Sequence, residues 1–268
     1  MKKYFVCLIS LAIIFSINVE SAVACVSVAG GLKIERNVKP GEEVTGIIQL
    51  KNIGDSFCEV KIYQSDYLFF SNGQNIYDKP GSIQRSNAKW VSFSPGRLTI
   101  PPKETLSVHY TAQVPDTPDL KGTFWSLLLV EPLVKTDDIA AESKDKVGIQ
   151  TVIRYGIQFV TDISDTGERK IRFLNKELID SDGRKSLQFD IENIGERWLS
   201  PKVWVELYNT DGVNVGRFES RQLRIYPGCS VRHKVDLKDV PGGRYKALVV
   251  ADNGDEYVFG ARYEMELK

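Results

Sequence analysis

Net charge is the first thing this chain lacks. Its 268 residues carry 35 Lys or Arg against 35 Asp or Glu, so no field of one sign would steer it to nucleic acid or an anionic lipid surface. Histidine is almost missing: the two present, His109 and His233, have no neighbouring Ser, Cys or Asp motif that would suggest a catalytic triad. There is no Cys-x-x-Cys pair and no Gly-rich phosphate loop, which argues against a zinc site and against nucleotide chemistry. Asp252-Asn253-Gly254-Asp255 lacks the bidentate Glu of a calcium loop, and Asn-Gly is a hairpin signal. No apolar run reaches the ~20 residues needed to span a bilayer, and no stretch has the period of an amphipathic helix. These absences lead to the expectation of a protein that is not an enzyme and needs neither cofactor nor metal.

What is present first is an export signal. Lys2 and Lys3 precede an apolar run from Tyr4 to Ile17, and Ala22-Val23-Ala24 is a small-x-small cleavage site. Residues 1–24 are therefore expected to be removed and the mature chain to be exported. Three cysteines remain in an oxidising compartment: Cys25, Cys58 and Cys229. That number permits one disulfide, and Cys25 with Cys58 would tie the first strand to a neighbour. Alternatively Cys25, the residue after the cleavage site, carries a lipid and makes the protein a lipoprotein. In the third arrangement all three thiols act as small, half-buried hydrophobes.

The same β-rich phrase occurs twice. Leu50-Lys51-Asn52-Ile53-Gly54-Asp55 recurs as Ile191-Glu192-Asn193-Ile194-Gly195-Glu196. Each copy leads through a Pro-marked turn, at Val114-Pro115 or Val240-Pro241, into an apolar run ending at Val130 or Val250. A unit of roughly 100 residues repeated in this order reads as two related domains. The expected division is a signal peptide at 1–24, one immunoglobulin-like β-sandwich at 25–163 and a second at 164–268, with residues 161–169 as the linker. The fold class is all-β.

Turn chemistry and alternation place the strands. Val26-Ser27-Val28 and Leu32-Lys33-Ile34 read as one strand broken at Gly30-Gly31, where a chain can switch sheets. The second repeat has strand patterns at 171–179, 186–192, 202–208, 231–237, 245–252 and 257–267, separated by turns such as Asp182-Gly183 and Pro227-Gly228. Residues 69–89 form a long excursion with no counterpart in the second repeat; its aromatic content favours packing over exposure. Val147 to Asp162 reads as an unusually long strand, with Val147, Ile149, Thr151, Ile153, Tyr155, Ile157 and Phe159 on one parity.

Several motifs of the first repeat resemble those of the PapD-like periplasmic pilus chaperones. They are Arg36-Asn37-Val38-Lys39-Pro40-Gly41 with Asn52 beyond it, Trp90 to Pro95, Ile100 to Glu104, Val114-Pro115, Phe124-Trp125, and Arg154 to Val160. The resemblance implies tandem immunoglobulin-like domains, a periplasmic location and, as partner, a protein subunit of a surface fibre. It also implies that a long strand is lent to the subunit, with Val147, Ile149, Thr151 and Ile153 at the matching positions. A cationic cleft between the domains would take the subunit's terminal carboxylate, with Arg36 at the first matching position. Gln158 stands where the family's second cation, a Lys, is expected, and Arg154 is the nearby substitute. The alternative reading is a structural or adhesive surface protein, anchored by a lipid on Cys25, in which the 69–89 excursion makes the contact.

Overall fold

The computed structural model describes residues 25–133, 152–181 and 184–267, and all regular structure in them is β-strand. The signal region therefore lies outside the described residues. So do Val147, Ile149 and Thr151.

The first half supplies β1 (Val26–Ala29), β2 (Lys33–Val38), β3 (Glu43–Asn52), β4 (Cys58–Phe69), β5 (Asn75–Asp78), β6 (Val91–Ser94), β7 (Arg97–Ile100), β8 (Thr105–Gln113), β9 (Gly122–Pro132) and β10 (Tyr155–Ile163). One sheet has the order β1-β3-β8-β6; the other runs β2-β10-β9-β4-β5, with β7 also on β4. The break at Gly30 and Gly31 is the expected switch. Both have φ near +90°, at +84° and +92°, a region that only glycine enters without a steric penalty. The chain thus leaves β3, which β1 pairs antiparallel, and joins β10, which β2 pairs parallel. Between the sheets lie Ile48, Leu50, Val60, Ile100, Val108, Leu128, Val130, Ile157 and Phe159. A disulfide links Cys25 to Cys58, with Cα atoms 5.9 Å apart.

The second half supplies β11 (Ile171–Ser181), β12 (Arg184–Asn193), β13 (Lys202–Tyr208), β14 (Asn214–Glu219), β15 (Ser230–Asp236), β16 (Gly243–Asp252) and β17 (Val258–Leu267). They form sheets β11-β12-β15 and β14-β13-β16-β17. The expected strands are all present. β14 is an addition that the sequence pattern did not reveal: its residues are mostly exposed and it contains Gly216.

The two sandwiches share a core. Trp125 and Val160 belong to the same buried cluster as Phe189, Ile191, Val205, Tyr226 and Val249 of the second half. Trp125 and Tyr226 are stacked, with centroids 4.9 Å apart and an interplanar angle of 14°, and Phe69 meets Tyr226 edge-on at 6.1 Å. Asp162, 4% exposed, accepts from Thr123 Oγ1 at 2.6 Å and from Trp198 Nε1 at 2.9 Å. A buried carboxylate held by two donors is satisfied, so it supports this packing. Residues 161–163, expected to begin a linker, are instead the end of β10 and are buried.

The 69–89 excursion packs inward. The buried Asp66 carboxylate accepts from the backbone N–H of Ser82 at 2.7 Å and of Ile83 at 2.9 Å. Asn87, fully buried, donates to Phe159 O at 3.0 Å and Thr161 Oγ1 at 2.9 Å and accepts from Ser126 Oγ at 2.6 Å. Its outer side reaches the second domain: Arg85 pairs with Glu196 at 3.2 Å, Ser71 N donates to Ser230 Oγ at 3.0 Å, and Ile83 joins the shared core. This segment straps the two domains together.

Candidate partner-binding edge

Strand β10 has one face in each domain. Alternation sends Ile157 and Phe159 into the first core, whereas Val160 enters the shared one and Gln158 Oε1 accepts from the Tyr226 hydroxyl at 2.9 Å. Pairing differs along its length. From Gln158 to Ile163 the strand lies between β2 and β9; at Tyr155, Gly156 and Ile157 it has, among the described residues, only β9 as a partner. The expected strand over Val147–Asp162 is corrected in part here: β10 runs from Tyr155 to Ile163, and the described residues Val152, Ile153 and Arg154 before it are not in a strand. Ile153 is 37% exposed and Val152 46%, so apolar side chains stand in solvent next to the unpaired stretch.

That stretch borders a cleft. Because β1 and β2 belong to different sheets, the sandwich is left open between them, and a cleft of about 220 Å³ lies there, lined by Val28, Gly31, Ile34, Arg36, Ile47 and Ile157 among others. Arg36 spans it. Its guanidinium donates to the Tyr110 hydroxyl at 2.6 Å and to Glu35 O at 3.0 Å. Tyr110 is on β8 in the opposite sheet, packs edge-on against Phe159 at 5.1 Å, and has room because Gly46 carries no Cβ that would meet its ring.

The expected cations are not brought together. Arg36 stands opposite Thr161, while Arg154 precedes Tyr155 at the other end of β10. Seven residues at ~3.3 Å each separate them by roughly 23 Å. Arg154 instead pairs with Glu131 at 3.0 Å and lies over the Tyr63 ring at 5.9 Å. It therefore does not substitute beside Arg36. Arg36 also lies on the Ile34 side of β2, whereas Glu35, on the other side, reaches the second domain.

Sequence reasoning missed the charged group between the domains. Arg224 pairs with Glu35 at 3.0 Å, and its guanidinium lies 3.6 Å from the Trp198 ring centroid; Lys33 also meets Glu35 at 2.7 Å. Burial alone would raise the Glu35 carboxyl, but the Lys33 and Arg224 cations outweigh it and hold it below the usual carboxylate range. Arg224 carried no motif in the sequence; only the fold brings it to Glu35, 189 residues away. The two histidines remain apart: His109 is exposed on β8, and His233 is buried on β15 against Phe189. Cys229 is free and buried, and burial pushes its thiol up to about 12. Among the described residues no helix is long and apolar enough to cross a membrane.

No family model matches the sequence, and no curated protein matches it. Solved structures do resemble it. A chain from work on a chaperone–tip adhesin complex in CFA/I fimbriae biogenesis is 15% identical, with TM-score 0.49, over 91% of this chain and 100% of that one. The class 5 fimbriae chaperone CfaA is 11% identical, with TM-score 0.47, over 89% and 98%. The Salmonella enterica SafA pilin–SafB chaperone complex contributes a chain 10% identical, with TM-score 0.42, over 91% and 98%. These structures are of fimbrial chaperones or of complexes that contain one, and the described residues of this chain form two all-β sandwiches.

Proposed function

We propose that this chain is an exported, non-catalytic chaperone that binds an incomplete subunit of a surface fibre by adding a strand to it. The observation that carries the reading is the edge of β10 at Tyr155–Ile157, which no second strand pairs among the described residues, next to a cleft in the first sandwich. An unpaired edge offers backbone N–H and C=O groups to another chain. The preceding sequence continues the parity of Tyr155 and Ile157 through Ile153, Thr151, Ile149 and Val147, so one face of the added strand would bury apolar side chains in the partner. Arg36, at the same cleft, is the candidate for the partner's carboxylate. The Cys25–Cys58 disulfide supports a periplasmic site of action, since such bonds persist in oxidising compartments. It also occupies the thiol that a lipid would need. The adhesive alternative loses its motive, because the 69–89 segment spends its contacts on the second domain.

The test is co-purification with a fibre subunit that is unstable alone. Ile149→Asp combined with Ile153→Asp is expected to abolish the complex while the chain stays folded. Unchanged capture by this double variant would rule the reading out.

A further inference from the structure

The second sandwich leaves one long edge open. Among the described residues β17 pairs only with β16, over all ten of its residues and without a register break. Asn253 N donates to Tyr257 O at 3.2 Å, which sets the phase of the ladder. Bonded and non-bonded pairs alternate in antiparallel strands, so Phe259, Ala261, Tyr263 and Met265 bond to β16. Gly260, Arg262, Glu264 and Glu266 turn their N–H and C=O away from it. Glu264 agrees with this phase, because its carbonyl accepts from Lys176 Nζ at 3.1 Å.

Other edges of this sandwich are blunted. β11 breaks register between Leu174 and Lys176, β14 pairs β13 with a shift at Leu207/Tyr208, and Ser230 at the start of β15 is engaged by Ser71. β17 has no bulge, no proline and no inward-facing charge; Phe259, Ala261, Tyr263 and Met265 turn in, and Val258, Gly260, Arg262, Glu264 and Glu266 are exposed. Such an edge is a template for another strand.

We propose that β17 pairs with β17 of a second copy of this chain, antiparallel about a two-fold axis at Tyr263. Isologous pairing brings together groups of the same phase. Centred on Tyr263, each Arg262 stands opposite Glu264 of the second copy on the exposed face, and each Gly260 opposite Glu266. Moving the axis one residue either way sets Arg262 against Arg262 or Glu264 against Glu264. Opposite charges across a strand pair stabilise it and like charges destabilise it, so charge selects the central register. Among the described residues neither Arg262 nor Glu264 has an ion-pair partner of its own, whereas Glu266 is met by Arg244 at 3.8 Å. The Lys176 ammonium competes for the Glu264 carbonyl, and one strand pair is a small interface, so the dimer is weak and reversible. It leaves the β10 edge untouched and does not rest on the chaperone reading.

Sedimentation velocity of the mature chain, from about 1 µM to about 1 mM, covers the range of such complexes. A monomer–dimer equilibrium is expected. Arg262→Glu and Glu264→Arg should each weaken it on the order of tenfold or more, and a mixture of the two variants should dimerise again, since each supplies the charge the other has lost. Both side chains are exposed, and rescue on mixing requires both variants to be folded. A wild type that stays monomeric, single reversals without effect, or a mixture that fails to recover would each overturn the proposal.

Discussion

Asn52 and Asn193 make the same three hydrogen bonds at the same distances. Asn52 Nδ2 donates to Ser56 O at 2.7 Å and Ile100 O at 2.9 Å, and its Oδ1 accepts from Gly54 N at 2.9 Å. Asn193 Nδ2 donates to Arg197 O at 2.7 Å and Ile225 O at 2.9 Å, and its Oδ1 accepts from Gly195 N at 2.9 Å. Both side chains are fully buried. The repeated Asn-Ile-Gly phrase is thus a turn plug: one buried amide bonds three backbone groups and ties the turn to the strand behind it.

Removing either plug should cost about the same. Asn52→Ala or Asn193→Ala removes three side-chain hydrogen bonds to backbone groups of the turn, a loss of at least about 2 kcal/mol. Urea denaturation of the two variants measures it; a shift in only one would show that the sites are not equivalent.

The junction between the domains is expected to resist opening until a glycine is filled. Gly122 has φ +79°, and a Cβ there would run into the Glu196 carbonyl of the second domain, to which Thr123 N donates at 2.8 Å. Gly122→Ala should push the domains apart, with a larger radius of gyration by X-ray scattering and red-shifted emission from Trp125 and Trp198. Unchanged scattering would mean that the junction yields elsewhere.

Trp125→Ala tests the shared core directly. The indole is 1% exposed and stacked on Tyr226, and its loss should cost about 3–5 kcal/mol. Because both domains pack on it, probes in each half should unfold together in the wild type and separately in the variant.

The disulfide should be worth about 2–4 kcal/mol, as expected for a closed loop of a few tens of residues; Cys25 and Cys58 are 33 apart. Cys25→Ser is expected to lower the unfolding free energy from urea denaturation by that amount, and intact-mass measurement of the mature protein should find two fewer hydrogens than the fully reduced chain and no acyl group.

His233 makes the protein acid-sensitive. Burial pushes its imidazole down to about 4, with the Asp190 charge opposing; Nδ1 is 3.0 Å from Ser220 Oγ, and Nε2 has no partner. In the unfolded chain the ring takes up a proton near pH 6.5, so the unfolded state binds more protons between about 6.5 and 4. Stability is fully present above that window and falls through it by about 3 kcal/mol. His233→Phe should flatten this part of the profile, read as the urea midpoint against pH.

Much of the fold was legible because strands announce themselves locally. Lys202–Tyr208 alternates buried side chains with half-buried or exposed ones along its whole length, and Gly30-Gly31 marked the sheet switch. The edge was harder to read. Parity runs unbroken from Val147 to Phe159 in the sequence, but parity says only which side chains share a face, not whether a neighbour pairs the backbone. Likewise Phe124 to Val130 is apolar on both faces; that indicates burial on both sides without naming Tyr226 as the cover for Trp125.

The positions of most strands and of the turn residues between them were determined by the sequence alone, because alternation and turn geometry depend on a few consecutive residues. Which edge stays open, where the excursion packs and how Arg224 meets Glu35 were decided only by tertiary structure. Those relations join residues far apart in the chain, and no short pattern records them.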